Sequence, residues 1–127
     1  MPRAIWLVLD SFGLGAAPDA ADYGDAGADT LGHIAATCAT LPRGPLALPH
    51  MARLGLFHAH AAAHSRPRPP GHAPEGCWGH AVEQARGKDT PSGHWESLGV
   101  TLAEPFGLFP PGAGCFPPAL LEALVHE

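Results

Sequence analysis

Six consecutive apolar residues, AIWLVL at positions 4–9, lie between Arg3 and Asp10. The run is too short for a buried helix and lacks the alternation of a half-buried strand, so it reads as a strand covered on both faces. Such strands belong to parallel sheets flanked by helices, which makes α/β the expected fold class and places Asp10 at the carboxyl edge of the sheet. Open α/β folds gather ligands and catalytic groups at that edge. Asp10 is therefore a candidate functional carboxylate. The alternative is an Asx-turn or cap, which the following Ser-Phe-Gly would equally accept. Asp10 also interrupts the apolar run before it reaches the length of a secretory signal core, so no targeting segment is expected.

A sheet of that kind needs a substantial core, and the chain offers little with which to build one. Of 127 residues, 16 are Gly and 15 are Pro, and Leu, Ile, Val and Phe together number only 26, alanine supplying much of the 46% hydrophobic content. A core this thin suggests that the chain is part of something larger. Seven Lys and Arg against 12 Asp and Glu leave no basic footprint, which argues against nucleic acid or an anionic membrane as partner. Long apolar spans are absent. Cys38, Cys77 and Cys115 are odd in number and outside any CxxC spacing. This argues against a disulfide framework or zinc ribbon and fits a reducing cytoplasm.

Along the chain, a Gly-, Asp- and Ala-rich loop follows Asp10, and then TLGHIAATCA reads as a short helix capped by Asp29 or Thr30. Pro49 opens another helix that Gly55 closes. Residues 58–76 form a Pro-, Arg- and His-rich surface insertion in which no secondary structure is expected. CWGHAVEQA, residues 77–85, reads as a second strand. A Gly/Pro-rich connector then leads to a helix starting at Pro118, with Leu120, Leu121, Leu124 and Val125 on one face.

Three motifs carry chemistry. GLGAAP at 13–18 stands where a dinucleotide fingerprint would, but Pro18 replaces the third glycine, which counts against a nucleotide site. His58, His60 and His64 include an i,i+4 pair yet have no acid or cysteine nearby in sequence to complete a metal set, so they read as solvated loop residues. KDTPSGHWE at 88–96 is the densest stretch. Thr90 before Pro91 reads as a helix N-cap whose hydroxyl sits at the positive end of the dipole, a place for phosphate. A hydroxyl there can accept a phosphoryl group if a metal or base removes its proton. An ordinary Thr cap beside an ordinary Asp89 turn is the competing reading.

Together, RAIWLVLDSFGLGAAPDAADYGDAGADTLGHIA, LPHMARLGL and GKDTPSGHWE resemble, in order and spacing, the N-terminal part of the phosphopentomutase family of the alkaline-phosphatase-like superfamily. The resemblance covers residues 1–104 well and the remainder loosely. It implies a doubly wound sheet truncated at the start of a cap domain. Residues 1–104 would then be the first part of the metal-binding core and 105–127 the connector and first cap helix. It further implies interconversion of (deoxy)ribose 1-phosphate and (deoxy)ribose 5-phosphate through a phosphothreonine, with two Mn²⁺ ions, or Mg²⁺ in their place. Asp10 matches a metal ligand of the family, and Thr90 matches the phosphoryl carrier that faces the metals. Lys88, Asp89 and His94 share the Thr90 motif, as support or as neighbours of substrate.

Members of the family are much longer and hold their other metal ligands, an adjacent Asp-His pair among them, in the C-terminal half. None of the nine histidines here follows an aspartate. The expectation is a truncated enzyme that needs a missing C-terminal half and does not turn over alone. A non-catalytic gene fragment, half of a split enzyme, or another metal-dependent phosphomutase or phosphatase of the superfamily stand as alternatives.

Overall fold

The computed structural model describes residues 2–71, 73–110, 112 and 114–126, which divide into two compact units, Met1–Glu83 and Gln84–Glu127. In the first unit, a loop with a short 3₁₀ turn at Ala20–Tyr23 leads into helix α1 (Thr30–Thr40). Asp29 caps α1 by accepting the Gly32 amide at 2.9 Å. The helix stops at Leu41, whose backbone is extended as a residue before proline requires. Pro49 occupies the start of α2 (Pro49–Leu54), where its missing N–H costs nothing. Gly55, at φ +105°, ends α2, its amide reaching the Met51 and Ala52 carbonyls.

The chain does not become irregular at residue 58. Gly55 is also the N-cap of α3 (Leu56–Ala63), so α2 and α3 form a helical pair about one glycine. Alanine's high helix propensity sustains α3. It ends in a Schellman-type turn with Ser65 at φ +52° and the Arg66 amide on the Ala61 carbonyl at 2.8 Å. Only the part of the expected insertion beyond Ala63 is free of helix among the described residues. Its far end is tied back by Arg53, whose guanidinium grips the Glu75 carboxylate through Nε at 3.1 Å and Nη2 at 2.7 Å. Both side chains are exposed, so this pair positions the loop more than it stabilises it.

Neither expected strand is present among the described residues. Residues 4–9 pair with no other segment there, and Ile5 and Leu7 are 93% and 84% exposed. Residues 77–85 are likewise irregular. A strand exists only as a member of a ladder, and an apolar run that finds no partner carries no such structure. The buried apolar residues of this unit are Ala20, Leu31, Ala59 and Ala61. Leu31 is fully buried, and its amide also holds the long loop through the Gly13 carbonyl at 3.2 Å.

The second unit contains α4 (Thr90–Ser97) and α5 (Pro118–His126). Two aromatic pairs, Trp95 of α4 with Phe106 and Phe109 with Phe116, supply contacts within this unit. The expected apolar stripe of α5 is there, but Leu120, Leu121, Leu124 and Val125 are all exposed.

Candidate functional site

The Thr90 motif is built around the start of α4. Asp89, with extended backbone, is the N-cap, and Thr90 is the first helical residue rather than the cap. The carboxylate of Asp89 outcompetes a threonine hydroxyl for the cap because it takes two donors at once. Its Oδ1 accepts the Ser92 amide at 2.8 Å and its Oδ2 accepts the Ser92 hydroxyl at 2.9 Å. Ser92 is 1% exposed, so both of its donors depend on that carboxylate. Released from capping, Thr90 lies exposed at the positive end of the α4 dipole.

His94, one turn on, places Nδ1 2.9 Å from the Thr90 carbonyl oxygen. A carbonyl only accepts, so Nδ1 carries the proton and a neutral His94 presents Nε2 as an acceptor. Glu96 ties the helix to the preceding segment: Oε1 accepts the Gln84 amide at 2.8 Å and Oε2 the Ala85 amide at 2.7 Å. Lys88 is exposed in the same short stretch. Lys88, Asp89, Thr90 and His94 therefore share one helix start. Asp89→Ala is expected to cost about 1–2 kcal/mol and to fray the first turn of α4, measurable as a lower denaturation midpoint with reduced helicity.

Asp10 belongs to the first unit. Its carboxylate is exposed and accepts the Ser11 amide at 3.0 Å. Ser11 itself sits at φ +57°, a conformation a serine adopts at a cost of about 1–3 kcal/mol. The side-chain bond is to the next residue's amide, not to the one two residues on that an Asx-turn uses, and the strained Ser11 directly follows the carboxylate that the resemblance matches to a metal ligand.

A second cluster escaped sequence reading. The Asp29 carboxylate that caps α1 also faces two histidines of α3. Nε2 of His60 lies 2.9 and 2.8 Å from its two oxygens, and Nε2 of His64 lies 3.1 Å from Oδ2. The three side chains are 11–24% exposed, so His60 and His64 are not solvated loop residues. The acid they lacked nearby in sequence comes from 31 positions upstream of His60. Burial pushes the Asp29 carboxyl up. The Gly32 amide, the His60 hydrogen bond and the charges that His60 and His64 carry when protonated outweigh burial, holding it below its ordinary 3.8. The i,i+4 spacing was the only local signal of this cluster.

No family model matches the chain, and no solved structure does. Curated relatives do. The chain is 56% identical, over its whole length, to a phosphopentomutase of Methylobacterium nodulans, covering 34% of that protein. It is 56% identical to one from Methylobacterium radiotolerans, again along its whole length and covering 34%. A phosphopentomutase of Chromohalobacter salexigens is 55% identical across the whole chain, which covers 31% of it. The chain thus spans about a third of the length of the curated relatives it matches.

Proposed function

We infer that this chain, similar to phosphopentomutases at every part of its length, is a portion of such an enzyme and supplies its phosphoryl-carrying residue and one metal ligand. The observation that carries the reading is the identity of 52–56% with proteins of that name across essentially the whole chain. The exposed position of Thr90 at the start of α4 agrees with it. The substrates are ribose 1-phosphate and ribose 5-phosphate and their deoxy analogues, and the enzyme works in the cytoplasm.

Asp10 and Thr90 offer a carboxylate and a hydroxyl, the hard oxygen donors that Mn²⁺ and Mg²⁺ take. Each by its chemistry suits such an ion as a ligand, and the remaining ligands come from the other two-thirds of the enzyme. Bound there, two Mn²⁺ ions would neutralise phosphate charge and favour the ionised Thr90 oxygen. The positive end of α4 adds to the attraction for the phosphate. Thr90 gives its phosphoryl group to one sugar hydroxyl: the Thr90 O–P bond breaks as the new P–O bond forms, and the hydroxyl's proton passes to the departing Thr90 oxygen. Thr90 then regains a phosphoryl group from the other position of the bisphosphorylated sugar. Asp89 fixes the turn that aims Thr90, and Lys88 and His94 stand close to the substrate. Residues 1–104 belong to the metal-binding core of an alkaline-phosphatase-like α/β fold, in which residues 4–9 join a sheet completed by sequence outside this chain. Residues 105–127 lead into the cap.

The test is a fusion of this chain to the remaining two-thirds of the Methylobacterium nodulans enzyme, replacing the matching third. The fusion is expected to convert ribose 1-phosphate to ribose 5-phosphate with Mn²⁺, whereas the 127-residue chain alone shows no turnover. A folded but inactive fusion, beside an active parent enzyme, would overturn the reading.

A further inference from the structure

We propose that Asp29, His60 and His64 form a binding site for a divalent transition-metal ion of the Zn²⁺ type, separate from the site of Asp10 and Thr90, that fastens the start of α1 to α3. One oxygen of Asp29 and one nitrogen of each histidine lie within 4.8 Å of one another. Ligand atoms around a four-coordinate zinc are about 3.3 Å apart. The histidine nitrogens, at 2.8 and 3.1 Å from Oδ2, are each within about half an ångström of that spacing from the carboxylate oxygen.

The His64 nitrogen carries the argument beyond proximity. It is buried and makes no hydrogen bond, although Oδ2 is 3.1 Å away, because the alignment is wrong for an N–H donor. Such a nitrogen has lost water and gained nothing in return. An ion shared with the carboxylate satisfies it through the lone pair instead. His60 already faces both carboxylate oxygens, and the Gly32 amide donates to Oδ1, a backbone hold of the kind that ordinarily orients a metal ligand.

The donor set chooses the ion. Two imidazoles and one carboxylate favour Zn²⁺, Co²⁺ or Ni²⁺ over Mn²⁺ and Mg²⁺. A cavity of about 580 Å³, lined by His64, Gly13 and Gly15 among others, adjoins the cluster on its His64 side. The ion would do for this unit what its few buried alanines do weakly, joining elements distant in sequence.

Gly32 offers a test that leaves all three ligands in place. A Cβ added there would collide with the Asp29 carboxylate, so Gly32→Ala expels the carboxylate while improving helix propensity. Equilibrium dialysis of the 127-residue chain against Zn²⁺ is expected to give one tightly bound equivalent. Affinity should fall about 100-fold or more in His60→Ala, His64→Ala and Gly32→Ala, and stay unchanged in the exposed-histidine control His33→Ala and in Asp10→Asn. Because a ligand variant can fail to fold, the unmodified chain is also titrated with Co²⁺ while the histidine ring resonances are followed by NMR. His60 and His64 are expected to show the largest paramagnetic shifts. No stoichiometric binding, binding that survives Gly32→Ala and His64→Ala together, or shifts centred on other histidines would overturn the site. The outcome is independent of mutase activity in the fusion, so either reading can fail without the other.

Discussion

Thr90→Ala, introduced into the fused enzyme, is expected to lower turnover by about 10⁴-fold or more, the scale on which removal of a nucleophile abolishes covalent catalysis. The substitution is clean. Thr90 is exposed, and the α4 cap is made by Asp89 on Ser92, so alanine at the first helical position leaves the turn intact and helicity unchanged. What disappears is the hydroxyl proposed to accept the phosphoryl group. Thr90→Ser, which keeps the hydroxyl, should retain a large part of the activity and should still become labelled when the enzyme meets a bisphosphorylated sugar, whereas Thr90→Ala should not. Turnover in Thr90→Ala within tenfold of the unmodified fusion would remove Thr90 from the reaction.

The largest effect on stability is expected at Gly55. It sits at φ +105°, where an L-residue is strained, and a Cβ there would overlap the ring of Trp78, which packs over the glycine and lies 5.4 Å from His58 ring to ring. Backbone strain and overpacking together put the cost of Gly55→Ala at about 2–5 kcal/mol. Gly55 closes α2 and opens α3, so the cost falls on both helices and, through α3, on His60 and His64. The expected result is a much lower denaturation midpoint and loss of Zn²⁺ binding, although no ligand is altered. Trp78→Ala in the same chain relieves the overlap but not the strain, and should recover only part of the loss. Equal stability of Gly55→Ala and the unmodified chain would show that the glycine is dispensable.

Elements with a chemical start or stop were legible in the sequence. Asp29 announces α1, Pro49 and Gly55 bound α2, and Pro118 opens α5. The Asp-Thr-Pro string located α4, with the cap displaced by one residue because a carboxylate serves two serine donors where a threonine hydroxyl could not. Helix α3 was not legible: its sequence, LFHAHAAA, has no marked apolar stripe, and the glycine that begins it reads only as an ending. The strands failed for a different reason. A six-residue apolar run states a local preference, whereas a ladder depends on a second segment, and none pairs with it among the described residues. The Asp29 cluster lay out of reach because its acid and its histidines are joined only by folding.

The Gln84 and Ala85 amides both donate to the Glu96 carboxylate and close the stretch between them into a lasso with Glu96 at the knot. Thr90 rides near its tip. Removing the carboxylate at the knot would free two backbone amides and with them one anchor of the stretch that carries Thr90, six positions away in sequence. Glu96 thereby becomes a tuning point, where selection or design could alter how this stretch is held without altering the hydroxyl proposed to carry the phosphoryl group.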